Sequence, residues 1–163
     1  MNDVIAAENL SDEIKAEAIA GLQVIEKYGN RIIENWVFAD DADGWEAQNM
    51  CTVSVVNGAL VITSEGEDPY VGTTVDIPEQ KMIVELRIKH DQPRLMQIFF
   101  LTDQKPGGDL DSTIKFEPKQ SNGDWVIYQH EFTPKGRMTE FRFDPANVPG
   151  VVEVDYIRLL KPE

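Results

Sequence analysis

The residues of this chain that could do chemistry are acids, planar cations and aromatic rings. Nucleophile–base arrangements are missing. No G-x-S-x-G elbow, no H-E-x-x-H pair and no phosphate-cradling glycine loop occurs. The two histidines, His90 and His130, are far apart in sequence, and Cys51 is the one cysteine. That leaves no zinc spacing and no intrachain disulfide. Cys51 opens the apolar run Cys-Thr-Val-Ser-Val-Val and reads as a small buried hydrophobe. What remains is recognition chemistry. A Trp or Tyr ring at a surface covers the apolar C–H face of a sugar, while polar neighbours bond its hydroxyls. Tyr70 and Trp125 each lie beside a loop and polar residues, so either could serve a ligand; burial in the core is the competing fate. Arg87, Gln97 and Arg142 are planar polar groups able to bond hydroxyls or carboxylates.

Charge narrows the partners. The 163 residues hold 29 acids against 15 Lys and Arg, a formal net charge of −14. Nucleic acid and anionic membranes repel such a surface. No apolar run is long enough for a membrane-spanning helix, and residues 1–4 show neither a basic nor an apolar leader segment.

These side chains must be positioned by two kinds of element. Residues 1–30 lack proline and carry Ile14, Ala18, Leu22, Ile25 and Tyr28 at spacings of three and four. This predicts a helix over 12–28, with Ser11 as N-cap and Gly29-Asn30 as the stop. Its apolar stripe must be covered, by the rest of its own chain or by a partner helix or subunit. Beyond residue 31 the chain turns to Val, Ile, Thr, aromatics, Gly and Pro. Strands are expected at 33–38, 51–56, 59–64, 70–76, 82–90, 95–102, 112–117, 125–132, 138–144 and 151–160. Asn57-Gly58 is a two-residue hairpin turn. In 82–90, Met82, Val84, Leu86 and Ile88 face one way, and Glu85, Arg87 and Lys89 the other. Strand 95–102 is apolar on both faces, so alternation does not assign Gln97 and Phe99 to a side. The fold class is mainly β: an antiparallel two-sheet sandwich over 31–163 behind a helical arm over 1–30.

Several segments, in order, carry a family resemblance. They are Trp36-Val37-Phe38 with Asp43-Gly44-Trp45, Gly58-Ala59-Leu60-Val61-Ile62-Thr63, Glu67-Asp68-Pro69-Tyr70-Val71, and Gly123-Asp124-Trp125 through Tyr128. Phe141-Arg142-Phe143-Asp144-Pro145 and Val152-Glu153-Val154-Asp155-Tyr156-Ile157-Arg158-Leu159 close the series. Together they resemble the carbohydrate-binding and galactose-binding-like modules with a jelly-roll sandwich. The resemblance covers about residues 34–160 and has no counterpart for 1–30. It implies a non-catalytic module for a polysaccharide or cell-surface glycan, an extracellular setting, and Trp36 and Trp45 in the core. It also implies a structural Ca²⁺ between Asp155 and the loop of Asp40, Asp41 and Asp43; a solvated acidic loop is the other reading. Glu153-Val154-Asp155 resembles the E-x-D-x-x-E strand of laminarinase-type jelly rolls. Arg158 stands where that motif needs its second carboxylate, so a retaining glycosidase is not expected. The alternative is a structural subunit of a fibre, sheath or surface layer, assembled as a homo-oligomer or into a parent structure through the helix.

Overall fold

The computed structural model describes residues 12–91, 95–118 and 123–163, with side chains from residue 18 onward. Helix α1 runs Asp12–Tyr28 and gives way to a short 3-10 turn, Gly29–Arg31. Gly29 has φ of 52°, the left-handed conformation that closes a helix at low cost for glycine. The expected cap Ser11 lies outside the described residues.

Eleven strands follow: β1 Ile32–Val37, β2 Glu46–Asn49, β3 Cys51–Val56, β4 Ala59–Ser64, β5 Tyr70–Ile77, β6 Met82–His90, β7 Met96–Thr102, β8 Thr113–Phe116, β9 Val126–Phe132, β10 Met138–Asp144 and β11 Gly150–Leu160. They form two antiparallel sheets. Sheet A has the order β3-β4-β11-β6-β9, and β1 pairs with the second half of β11. Sheet B has the order β2-β5-β10-β7-β8. The β3–β4 hairpin turns at Asn57 and Gly58, both with positive φ (52° and 75°). Strand β2 was not expected. Its sequence, Glu-Ala-Gln-Asn, has no apolar alternation, because it lies at the edge of sheet B and is almost wholly exposed.

The core lies between the sheets. Met82, Val84, Leu86 and Ile88 of β6 enter it from sheet A, as alternation predicts. Met96, Ile98 and Phe100 of β7 enter from sheet B, which turns Gln97, Phe99 and Leu101 outward. Trp36 and Trp45 are buried and meet edge to face with centroids 5.5 Å apart, and Phe141 stacks on Trp36 at 5.9 Å. Cys51 is half-buried and its Sγ donates to the Tyr70 carbonyl at 3.3 Å. Burial pushes its thiol pKa up, which keeps it inert.

One irregularity directs later arguments. Between Val154 and Tyr156 the register of β11 against β6 slips by a residue. Val152 and Val154 point inward before it, and Ile157 and Leu159 after it. Asp155 and Tyr156 therefore both lie on the outer face of sheet A.

Candidate functional site

The outer face of sheet B gathers polar and aromatic groups: Tyr70, Gln97, Phe99 and Arg142 are half-buried, and Asp144 is buried. Antiparallel register sets Arg142 of β10 beside Gly72 of β5 and Phe99 of β7. The adjacent row brings Asp144 beside Gln97, with Lys115 of β8 next to it. Tyr70 opens β5 in the same neighbourhood. The Arg142 guanidinium lies 3.4 Å from the Tyr70 ring centroid and 4.6 Å from that of Phe99. Its Nε and Nη2 donate to the two Asp144 oxygens, both at 2.7 Å. The Nη2 atom also lies 3.8 Å from an Asp68 carboxylate oxygen. Aromatic stacking and a bidentate carboxylate thus fix one flat cation in the sheet face.

The two partners report this pair differently. Burial lowers the Arg142 pKa, but the bonds to Asp144 outweigh it and the net direction is up. Burial also lifts the Asp144 carboxyl, and there it exceeds the pull of Arg142. Two parallel 2.7 Å bonds are the geometry of an ionised pair, so the pair is charged at neutral pH.

Gly72 has a reason to be glycine. A Cβ there would come within 2.8 Å of the Gln48 amide, which lies over the bare backbone and donates to Glu140 at 3.2 Å. Asn49 donates to the Asp68 carbonyl at 2.6 Å and ties down the loop before Tyr70. Sequence reasoning missed Gln48, Glu140 and Asp144. An isolated glycine in the strand pattern of 70–77 was the available signal for a close approach.

Tyr70, Gln97 and Arg142 come together on this face; Arg87 and Trp125 do not. Arg87 projects from β6 on the outer face of sheet A, where its Nη1 meets Asp155 at 2.6 Å. Trp125 precedes β9 and lies under Arg87 and Lys89, whose charges are 5.0 and 5.1 Å from its ring. Lys89 in turn pairs with Glu153 at 2.8 Å. Of the five candidates, three therefore share one sheet face and two lie on the other. The outward register of β7 puts Gln97 on sheet B, while the charge ladder of β6 and β11 holds Arg87 and Trp125 on sheet A.

Among the described residues, the acids expected to hold Ca²⁺ do not gather into one ligand set. Asp155 is paired with Arg87. Asp41 accepts the Asp43 backbone N–H at 2.8 Å and so closes its own turn. Asp43 stands near Glu34, whose carboxyl is lifted first by burial and then by that charge. Among the described residues no three His, Cys, Asp or Glu groups converge as metal ligands, against the six to eight oxygens that Ca²⁺ takes.

Beneath α1, the outer face of sheet A holds a different cluster. Glu85, 1% exposed, accepts from Tyr28 Oη at 2.5 Å, Gln129 Nε2 at 2.6 Å and Arg158 Nη1 at 3.3 Å. Burial pushes the Glu85 pKa up, but the bonds from Tyr28 and Gln129 prevail and hold it below its usual value. Arg158 also bonds Asn35 at 2.6 Å and lies over the Tyr156 ring at 3.6 Å. Every member of this network is occupied.

No protein-family model and no curated sequence matches the chain. Solved structures do. The CBM22-1 xylan-binding domain from Paenibacillus barcinonensis Xyn10C aligns with a TM-score of 0.61 at 15% identity, over 81% of this chain and 96% of that one. The C-terminal CBM6 of LamC, a marine laminarinase from Zobellia galactanivorans, aligns at 0.58 and 10% identity, over 78% and 100%. A CBM6 module of Cellvibrio mixtus lichenase 5A in complex with cellotriose aligns at 0.51 and 17%, over 81% and 99%. The chain has the β-sandwich fold of the carbohydrate-binding modules.

Proposed function

We propose that the outer face of sheet B binds a neutral polysaccharide, and that the protein is a non-catalytic carbohydrate-binding module acting outside the cell. One observation carries this reading: the Arg142 guanidinium placed between Tyr70 and Phe99 and pinned by Asp144, with part of its side chain still open to solvent. A flat patch rimmed by the amides of Gln48 and Gln97 suits a sugar, which offers apolar C–H surface and a ring of hydroxyls. Charge selects the class of glycan. Glu46, Asp68, Glu140 and Asp144 outnumber Arg142 and Lys115 around the face, so uronates and sulfated chains are repelled. The structural neighbours described as xylan-binding and as bound to cellotriose support the same class. They support binding over a structural subunit. Catalysis gains no support from Glu153 and Asp155, since each carboxylate is neutralised by a cation on its own sheet.

Calorimetric titration with xylohexaose, cellohexaose, laminarin and a polygalacturonate tests the reading. A neutral chain should bind with a dissociation constant on the order of 10 μM to 1 mM, and polygalacturonate should not. If no neutral glycan binds, or if Tyr70→Ala and Arg142→Ala bind as the parent does, the reading fails.

A further inference from the structure

Consecutive residues at the turn between β2 and β3 hold the loop that delivers Tyr70. Asn49 Nδ2 donates to the Asp68 carbonyl at 2.6 Å. The Met50 carbonyl accepts the Glu65 N–H at 2.8 Å. Cys51 Sγ donates to the Tyr70 carbonyl at 3.3 Å. Met50 adds a packing contact. A Cβ built on Gly66 would come within 2.5 Å of the Met50 Sδ and 3.3 Å of its Cβ and Cγ, so the thioether lies against bare glycine backbone. Met50 itself has φ of 43°, a conformation that a residue other than glycine keeps only where its surroundings hold it.

The methionines differ in access. Met82, Met96 and Met138 are 0% exposed in the core, whereas Met50 is 52% exposed. A thioether needs no ionisation to be oxidised, so access governs its rate. The neighbouring Cys51 is half-buried and its thiol stays protonated, which leaves Met50 as the sulfur that an oxidant reaches.

We propose that Met50 is a site of oxidation by peroxide, and that its sulfoxide releases the loop of residues 65–69. The sulfur lone pair attacks one oxygen of hydrogen peroxide and the O–O bond breaks. That oxygen stays on sulfur as the sulfoxide, and the other leaves as water after proton transfer. Sulfur loses two electrons and the peroxide gains them. The product is a hydrated S–O dipole where an apolar contact was, which draws the side chain off Gly66 and toward water. The bonds from Asn49 and Cys51 remain, so the loop loosens and the sandwich stays folded. Asp68 lies 3.8 Å from Arg142 Nη2, and the Tyr70 ring is 3.4 Å from that guanidinium, so loosening the loop disturbs both contacts. This consequence for binding rests on the glycan reading; the oxidation and the loop release do not.

The test treats the full chain with hydrogen peroxide and follows each sulfur by peptide mass spectrometry. Met50 should oxidise at least about tenfold faster than Met82, Met96 and Met138. Amide hydrogen exchange over residues 65–68 should then quicken about fivefold, with the core strands as protected as before. Met50→Leu keeps an apolar contact without an oxidisable sulfur. It should show the parent's protection, and peroxide should not change it. Met50→Gln puts a polar group there and should exchange faster with no oxidant present. Affinity of the oxidised protein for the neutral glycan should fall about threefold. Oxidation of Met50 no faster than of the buried methionines overturns the proposal, as does unchanged exchange over 65–68 once Met50 is fully oxidised. So does a Met50→Leu variant whose loop still loosens in peroxide, since Met1 or Cys51 would then be the sulfur responsible. Faster exchange in a protein that binds no neutral glycan in either state supports the release and sinks the glycan reading alone. A loosened loop with unchanged affinity overturns the link to binding.

Discussion

The two outer faces of the sandwich use the same three side-chain types for opposite ends. On sheet A, Arg158 stacks on Tyr156 at 3.6 Å and reaches Glu85. On sheet B, Arg142 stacks on Tyr70 at 3.4 Å and grips Asp144. The difference is cover. Tyr28, from the end of α1, closes over Glu85 and bonds it, leaving that side chain 1% exposed, whereas the Arg142 side chain keeps 22% of its surface open. A Tyr–Arg–carboxylate set is a lock when capped; left partly open, it is the receptor proposed for sheet B. The pKa directions follow: against burial, the bonds from Tyr28 and Gln129 hold Glu85 below its usual value, while Asp144, with Arg142 as its bonded partner, is lifted by burial.

The largest effect should come from breaking the lock. Glu85→Ala strands the Arg158 charge in a buried site and should cost about 3 kcal/mol in chemical denaturation. Tyr28→Phe, which removes one hydrogen bond, should cost about 1 kcal/mol. The sign with pH is definite. A carboxylate with a depressed folded pKa gives stability that is present above its unfolded value of 4.5 and lost as pH falls through the lower folded value. Asp144 has the opposite sign: its raised pKa favours protonation in the folded state, so acid should disable the receptor while it slightly favours folding there. The loss of stability below pH 4.5 should therefore be smaller in Glu85→Gln than in the parent. An equal acid loss in both would remove Glu85 from the account.

The proposed receptor should respond first in binding. Arg142→Ala and Tyr70→Ala should each lower glycan affinity by about tenfold or more, the equivalent of roughly 1.4 kcal/mol. Tyr70 is partly exposed, so Tyr70→Ala should change melting little, whereas Arg142→Ala leaves the buried Asp144 carboxylate without its cation and should lower melting as well. A large drop in melting temperature with unchanged affinity would make this face structural, like its counterpart.

The strands and the helix were legible because their periods differ. Ile14, Ala18, Leu22, Ile25 and Tyr28 recur with the helical period, and β6 alternates with period two. The site was legible only in part, for two physical reasons. First, apolar residues at alternate positions of β7 on both faces hide which side meets water, so the placement of Gln97 and Phe99 came from pairing with β10. Second, a bulge is a long-range adjustment. Nothing in Val154-Asp155-Tyr156 announces that two successive residues share a face, yet this brings Asp155 onto Arg87 and Tyr156 under Arg158. The polar edge strand β2, which supplies Gln48, was hidden because its pairing depends on backbone bonds to β5 and not on its own side chains.

Gly72→Ala offers a finer test of the open face. The added Cβ meets the end of the flexible Gln48 side chain, so the strand itself need not move. Affinity should fall about threefold as the amide swings away from Glu140, with stability altered by less than about 1 kcal/mol. If affinity holds, Gln48 is not part of the receptor.

The smallest expected effect is on the covered side. Trp125 has the side chain most often associated with sugar stacking, yet Arg87 and Lys89 approach its ring, and both cations are held there by Asp155 and Glu153. These partly exposed contacts are each worth less than about 1 kcal/mol, so Trp125→Ala should cost the fold little. Its glycan affinity should stay within about twofold of the parent, because the proposed receptor is on the other sheet. The measurement belongs beside Tyr70→Ala in the same titration. If Trp125→Ala loses binding and Tyr70→Ala keeps it, the two faces exchange roles: the charge ladder of sheet A becomes the receptor, and the Arg142 stack of sheet B becomes the structural element.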